Sequence, residues 1–106
     1  MKIKIIQTTT NTIETAESIS KILVKNNISP CVQIISNVRS IYQWNGKIEY
    51  SNEIILNIKT IPANIEQTKD IILKHHNYDM PEFIVMDANI LDDVYKAWFM
   101  DHCLKT

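Results

Sequence analysis

The chain has 106 residues, 45% of them hydrophobic, with 11 basic and 12 acidic residues for a formal net charge of −1. That is enough for one domain over residues 1–106 with a real core, and too balanced for a nucleic-acid footprint or a cationic membrane face. No apolar run approaches the roughly 18 residues of a membrane span, and residues 1–10 lack the apolar core of a signal peptide, so the expected compartment is the cytoplasm.

The elements follow in chain order. MKIKIIQT suits a first strand. After TTTN the period changes, and Ile13, Ala16, Ile19 and Leu23 fall on one helical face. Asn11 is the expected N-cap, with Glu14 three residues on to answer it. Asn26-Asn27 closes that helix in the left-handed conformation. A second strand starts near Cys31, turns at Asn45-Gly46, and a third runs to about Thr60. Ile48, Tyr50, Ile54, Leu56 and Ile58 share one face of the third strand.

Pairing outward from the turn sets Ile41 against Tyr50. An unbroken ladder would then place Val32 and Ile34 on the polar face. One extra residue near Ser36-Asn37 restores Val32 to Ile58 and Ile34 to Leu56, so a β-bulge is expected there. The arms of about 14 residues exceed the usual five or six. The distal half therefore projects and needs a partner over Ile41, Tyr42, Trp44 and Ile48.

A second helix is expected from about Pro62 to His76, with Ile65, Thr68, Ile72 and His76 on one side, helped by Leu73. Phe83 to Met86 reads as a central or doubly covered strand. Asn89 is the expected cap of a last helix whose stripe is Leu91, Val94, Tyr95, Trp98 and His102. The order βαββαβ plus a C-terminal helix predicts an α+β, ferredoxin-like sandwich with an extended hairpin.

Several functions fit that fold. RNA recognition needs aromatics on the outer face of the third strand, which instead reads Lys47, Glu49, Ser51, Glu53 and Ile55. An acylphosphatase-type hydrolase needs an arginine in a glycine-rich loop, but the single arginine, Arg39, lies in a hairpin arm. His75 and His76 are either metal ligands or the solvated end of a helix. Adjacent helical residues diverge by about 100°, so both reach one ion only where the helix unwinds, as Asn77 permits.

Cys31 and Cys103 lack C-x-x-C spacing, and Cys31 reads as a small buried hydrophobe. His102-Cys103 reads as packing or as a solvated end. Tyr42, Trp44, Ile48 and Tyr50 suit an interface better than a ligand pocket. Glu82 is a candidate acid or base, with no second carboxylate evident from the sequence. No catalytic set assembles, so the chain is expected not to be an enzyme.

The stretches CVQIISNVRSIYQWNGKIE (31–49), EIILNIKT (53–60), HHNYDMPEF (75–83) and YKAWF (95–99) resemble the CutA family, small proteins associated with divalent-cation tolerance. The family pattern is similar to C-V-x-I-I-P-G-V-x-S-x-Y-x-W-x-G-x-x-E, then H-P-Y-x-x-P-E, then Y-x-x-W. Its Pro-Gly is Ser36-Asn37 here, and the proline after its second histidine is Asn77.

The resemblance implies a homotrimer, a projecting hairpin as trimer element, and no established reaction. It also implies a copper set at Thr8, His75 and His76. Thr8 stands where copper-binding relatives carry cysteine, so copper or another divalent cation is expected to bind weakly, with no obligatory cofactor. Tyr78, Pro81 and Glu82 would line a cleft between subunits. A second implied reading is a PII-like regulatory trimer, binding a small anion or nucleotide through Lys59 and Arg39. An unknown protein partner is compatible with either reading.

Overall fold

The computed structural model describes residues 1–103. Strands β1 (Lys2–Thr10), β2 (Cys31–Trp44), β3 (Lys47–Thr60) and β4 (Ile84–Asn89) alternate with helices α1 (Ile13–Lys25), α2 (Ile65–His75) and α3 (Asp93–Asp101). A 3₁₀ turn, Pro62–Asn64, leads into α2. The sheet is antiparallel in the order β2-β3-β1-β4, as expected for a ferredoxin-like protomer.

The bulge lies where the hydrophobic alternation requires it. Val32 pairs with Ile58, Ile34 with Leu56 and Ile41 with Tyr50, with a register shift between Ile35 and Val38. Asn37 absorbs that shift at φ 62°, and Asn45-Gly46 turns the hairpin at φ 51° and 74°. Asn27, at φ 57°, ends the first helix segment.

The core sits between the helices and the proximal sheet. Ile6, Ala16, Ile19, Leu23, Leu56, Ile58 and Ile72 are fully buried there. A second cluster joins Ile3, Ile61, Ile90, Phe99 and Cys103 near α3. On the helix-side face of the distal hairpin Ile41, Ile48 and Tyr50 are exposed, and the described residues extend over 47 × 26 × 21 Å.

Five expectations need correction. Thr12, not Asn11, caps α1, its hydroxyl accepting from the Thr15 amide at 3.1 Å. The Asn11 side chain is engaged elsewhere, accepting from Asn77. Asp92, not Asn89, caps α3 through the Tyr95 amide at 2.8 Å, because Asn89 still belongs to β4. β4 is an edge strand paired only with β1, and Ile84, Val85 and Met86 are exposed.

The α3 stripe is displaced as well. Leu91 and Val94 are 92% and 80% exposed, while Phe99 and Cys103 make the packing contact. Tyr95, Trp98 and His102 stack in sequence at 5.5 and 5.0 Å. Leu73 is likewise exposed, and Thr68 and Ile72 carry the buried side of α2. In each displaced stripe the periodicity identified an apolar face but not which neighbour would cover it.

Candidate functional site: the joint between α2 and β4 and its groove

The α2 ladder ends at His76, whose backbone turns extended (φ −81°, ψ 148°) while its amide still donates to the Ile72 carbonyl at 2.9 Å. Two consecutive side chains then part company. His75 remains on the helix and is exposed, whereas His76 is half-buried. The His76 ring binds backbone on both sides. Its Nε2 lies 2.6 Å from the Thr9 carbonyl, and its Nδ1 lies 3.0 Å from the Tyr78 amide.

A carbonyl only accepts and an amide N–H only donates. The ring therefore carries its proton on Nε2 and accepts on Nδ1. Asn77 adds a tie at 3.0 Å to Asn11, so the joint is fastened to the end of β1 from two successive residues.

Tyr78 comes next. Its ring lies 4.6 Å from that of His76, and its hydroxyl donates to Glu53 Oε2 at 2.8 Å. Burial, that hydrogen bond and the charge of Glu53 push the phenol well above its ordinary value, so it stays a neutral donor. Glu82 lies near the same carboxylate. Burial and, second, the charge of Glu53 raise its carboxyl above the ordinary value. Glu82 thus has the carboxylate neighbour the sequence did not reveal. The signal was present in the alternation of β3, which sets Glu49, Ser51 and Glu53 on the outer face.

Between this joint and the outer face of the hairpin lies a groove of about 930 Å³. Tyr42, Trp44 and Tyr78 wall it, and Glu49, Glu53, Asp79 and Glu82 supply its charge. Tyr42 is held in place by a 2.7 Å hydrogen bond between its hydroxyl and that of Ser51.

The expected residue groups divide accordingly. Tyr78 and Glu82 share the groove, but Lys59 lies in a depression with Ile5, Leu91 and Tyr95, and Arg39 lies in another with Asn11, Asn37 and Asn52. Within one chain these four do not form one anion-binding cleft. The aromatic hairpin residues also divide by face. Ile41, Ile48 and Tyr50 follow the helix-side face outward, and Tyr42 and Trp44 lie on the other. Arg39 stacks over Tyr50 at 5.1 Å. Cys31 is half-buried and pairs with Lys59 across the β2–β3 ladder.

The sequence profile described as CutA1 divalent ion tolerance protein matches residues 4–102. The chain belongs to the CutA1 divalent ion tolerance family. It is 32% identical to the divalent-cation tolerance protein CutA of Pyrococcus horikoshii, over 95% of this chain and 98% of that one. It is 29% identical to the chloroplastic protein CutA of Arabidopsis thaliana over 80% of this chain, but spans only 47% of that relative's length. The solved structure of CutA1 from Ehrlichia chaffeensis superposes with a TM-score of 0.90 at 32% identity, over 97% of this chain and 96% of the other.

The copper set expected for this CutA1 chain can be compared with its side chains. Both His76 nitrogens are engaged by backbone groups, so the ring offers no lone pair outward. Thr8 is fully buried on the side of β1 that carries Ile6 and Thr10, and its hydroxyl has no hydrogen-bond partner among the described residues. Only His75 is open to solvent. Among the described residues no three His, Cys, Asp or Glu side chains are grouped to hold a metal ion. The three residues do not fit a preformed copper site in the protomer.

Proposed function

We propose that this chain acts as a non-enzymatic homotrimer in divalent-ion tolerance. The observation that carries the reading is the uncovered apolar surface of the hairpin, where Ile41, Ile48 and Tyr50 are 62%, 62% and 59% exposed. The edge strand β4 adds a second uncovered patch at Ile84 and Met86, which share the face turned away from the helices. Isolated exposed apolar residues are ordinary, but contiguous patches of this kind mark interfaces. Two different patches on one chain suit a head-to-tail contact that closes into a ring, rather than a two-fold contact of one patch with itself.

Metal enters this reading only as a weakly held ion. Recruiting His76 through Nδ1 would break its hydrogen bond from the Tyr78 amide, and a neutral threonine hydroxyl is a poor copper ligand. Light scattering coupled to size exclusion tests the assembly at low micromolar concentration. The expected mass is three times 12.3 kDa. A peak at the protomer mass would overturn the reading.

A further inference from the structure

The tip of the hairpin carries a reactive pair that ion tolerance does not use. Asn45 precedes Gly46, the one glycine of the chain. A carboxamide placed one residue before a backbone amide can close a five-membered ring on it. Three conditions favour closure: a carboxamide free to move, a small residue next in sequence, and an attacking nitrogen without a hydrogen-bond acceptor.

The ten asparagines separate on those conditions. The carboxamides of Asn11, Asn26, Asn57, Asn64 and Asn77 are held by hydrogen bonds. Asn27, Asn37, Asn52 and Asn89 precede Ile28, Val38, Glu53 and Ile90, whose side chains crowd the nitrogen that would attack. Asn45 meets neither obstacle. It and Gly46 are both exposed. Neither the Asn45 carboxamide nor the Gly46 amide has a hydrogen bond among the described residues. A Cβ added at Gly46 would meet nothing within 4 Å beyond its chain neighbours, so the tip stands in open space. Closure needs rotation about the Asn45 Cα–C bond, out of the left-handed turn at φ 51°. Gly46 takes either sign of φ and follows that rotation without a side-chain clash.

We propose that Asn45 is a site of spontaneous deamidation through a succinimide, with water as the only co-reactant. The deprotonated Gly46 nitrogen attacks Cγ of Asn45. A new C–N bond forms, the bond from Cγ to its NH2 group breaks, and ammonia leaves with the proton that the Gly46 amide gave up to solvent. Water then opens the ring at either carbonyl, giving aspartate or isoaspartate, and nothing is oxidised or reduced. Isoaspartate adds a methylene to the main chain of a two-residue turn. That longer turn no longer fits the Trp44–Lys47 pair that closes the hairpin.

Incubation of the full chain, followed by peptide mapping in the mass spectrometer, tests the proposal. Exchange of NH2 for OH should appear as a gain of about 1 Da in the peptide containing Asn45. That peptide should convert at least about tenfold faster than any other asparagine-containing peptide, because a crowded nucleophile reacts slowly. The amide attacks only once deprotonated, so conversion should be at least about tenfold faster at about pH 8.5 than at about pH 6.5. Enzymatic methylation of isoaspartate should label the same peptide. Asn45→Asp, which keeps a residue suited to the turn, should remain unlabelled over the same period. Aged wild-type chain should exchange its Lys47 amide faster than fresh chain, and Asn45→Asp should not.

Conversion spread evenly over several asparagines would overturn the proposal. So would aspartate formed at Asn45 without isoaspartate, which marks direct hydrolysis with no ring. Reaction of the chain unfolded in guanidinium chloride, with none in the folded chain, would show that the folded turn or a subunit packed over it holds Asn45 unreactive, and would overturn it too.

Discussion

The two halves of the β2–β3 hairpin carry the same alternation and meet different fates. In the proximal half Leu56 and Ile58 point at α1 and α2 and are fully buried. In the distal half Ile48 and Tyr50 continue the same face of the same strand and are mostly exposed. The strand does not change, but the helices end. An apolar face therefore states that something covers it, without stating whether that cover belongs to the same chain.

The largest test of this contrast compares one residue from each half. Leu56→Ala opens a cavity in the protomer core and should cost about 2–5 kcal/mol at any protein concentration, read by denaturant unfolding. Ile48→Ala should leave a dilute protomer almost unchanged. In an assembly its cost should appear as a midpoint that depends on concentration. Equal, concentration-independent losses would show that the distal half is covered within the chain.

The adjacent histidines give a second contrast, smaller in size. His76→Ala strands the Thr9 carbonyl and the Tyr78 amide, and should cost about 1–3 kcal/mol. His75→Ala, at an exposed position, should stay within about 0.5 kcal/mol. A similar loss at both positions would mean that the joint does not depend on the His76 ring.

Thr8 lies on the buried side and tests the copper expectation from stability alone. Its fully buried hydroxyl lacks a partner among the described residues. Thr8→Val replaces that hydroxyl by a methyl of similar shape and should stabilise by roughly 1 kcal/mol. A clear loss of stability would show that the hydroxyl is satisfied in solution.

The smallest effect is expected at Glu82. Its folded-state carboxyl titrates above the ordinary value of 4.5, chiefly through burial and then through Glu53. Such a group favours the fold fully below its unfolded value, and that contribution is lost as pH rises through the raised one. Glu82→Gln should therefore raise Tm slightly at neutral pH, with the gain fading towards about pH 4. A gain that grows on acidification would reverse the sign of the coupling.

Much of this fold was legible in the chain itself. Local chemistry determined the turn at Asn45-Gly46, the left-handed Asn27 and the bulge at Asn37, because each depends on a few neighbouring dihedrals and on an alternation of period two. The motifs from Cys31 to Phe99 were sufficient to indicate the family. The same local signals misplaced two caps. Asn11 and Asn89 were acceptable cap residues by type, but tertiary ties to Asn77 and to the β1–β4 ladder claimed them first.

The site was legible only in part. His75, His76, Tyr78 and Glu82 lie in one short stretch, so sequence could mark the joint as unusual. Which histidine turns inward depended on where Thr9 stands, 67 residues away along the chain. The approach of Glu53 to Glu82 and Tyr78 likewise arises only when β3 and the joint are folded against each other. Backbone propensity and side-chain period are properties of neighbours in sequence. Hydrogen-bond partners, charge pairs and the cover over an apolar face are properties of neighbours in space, and only the tertiary structure selects those.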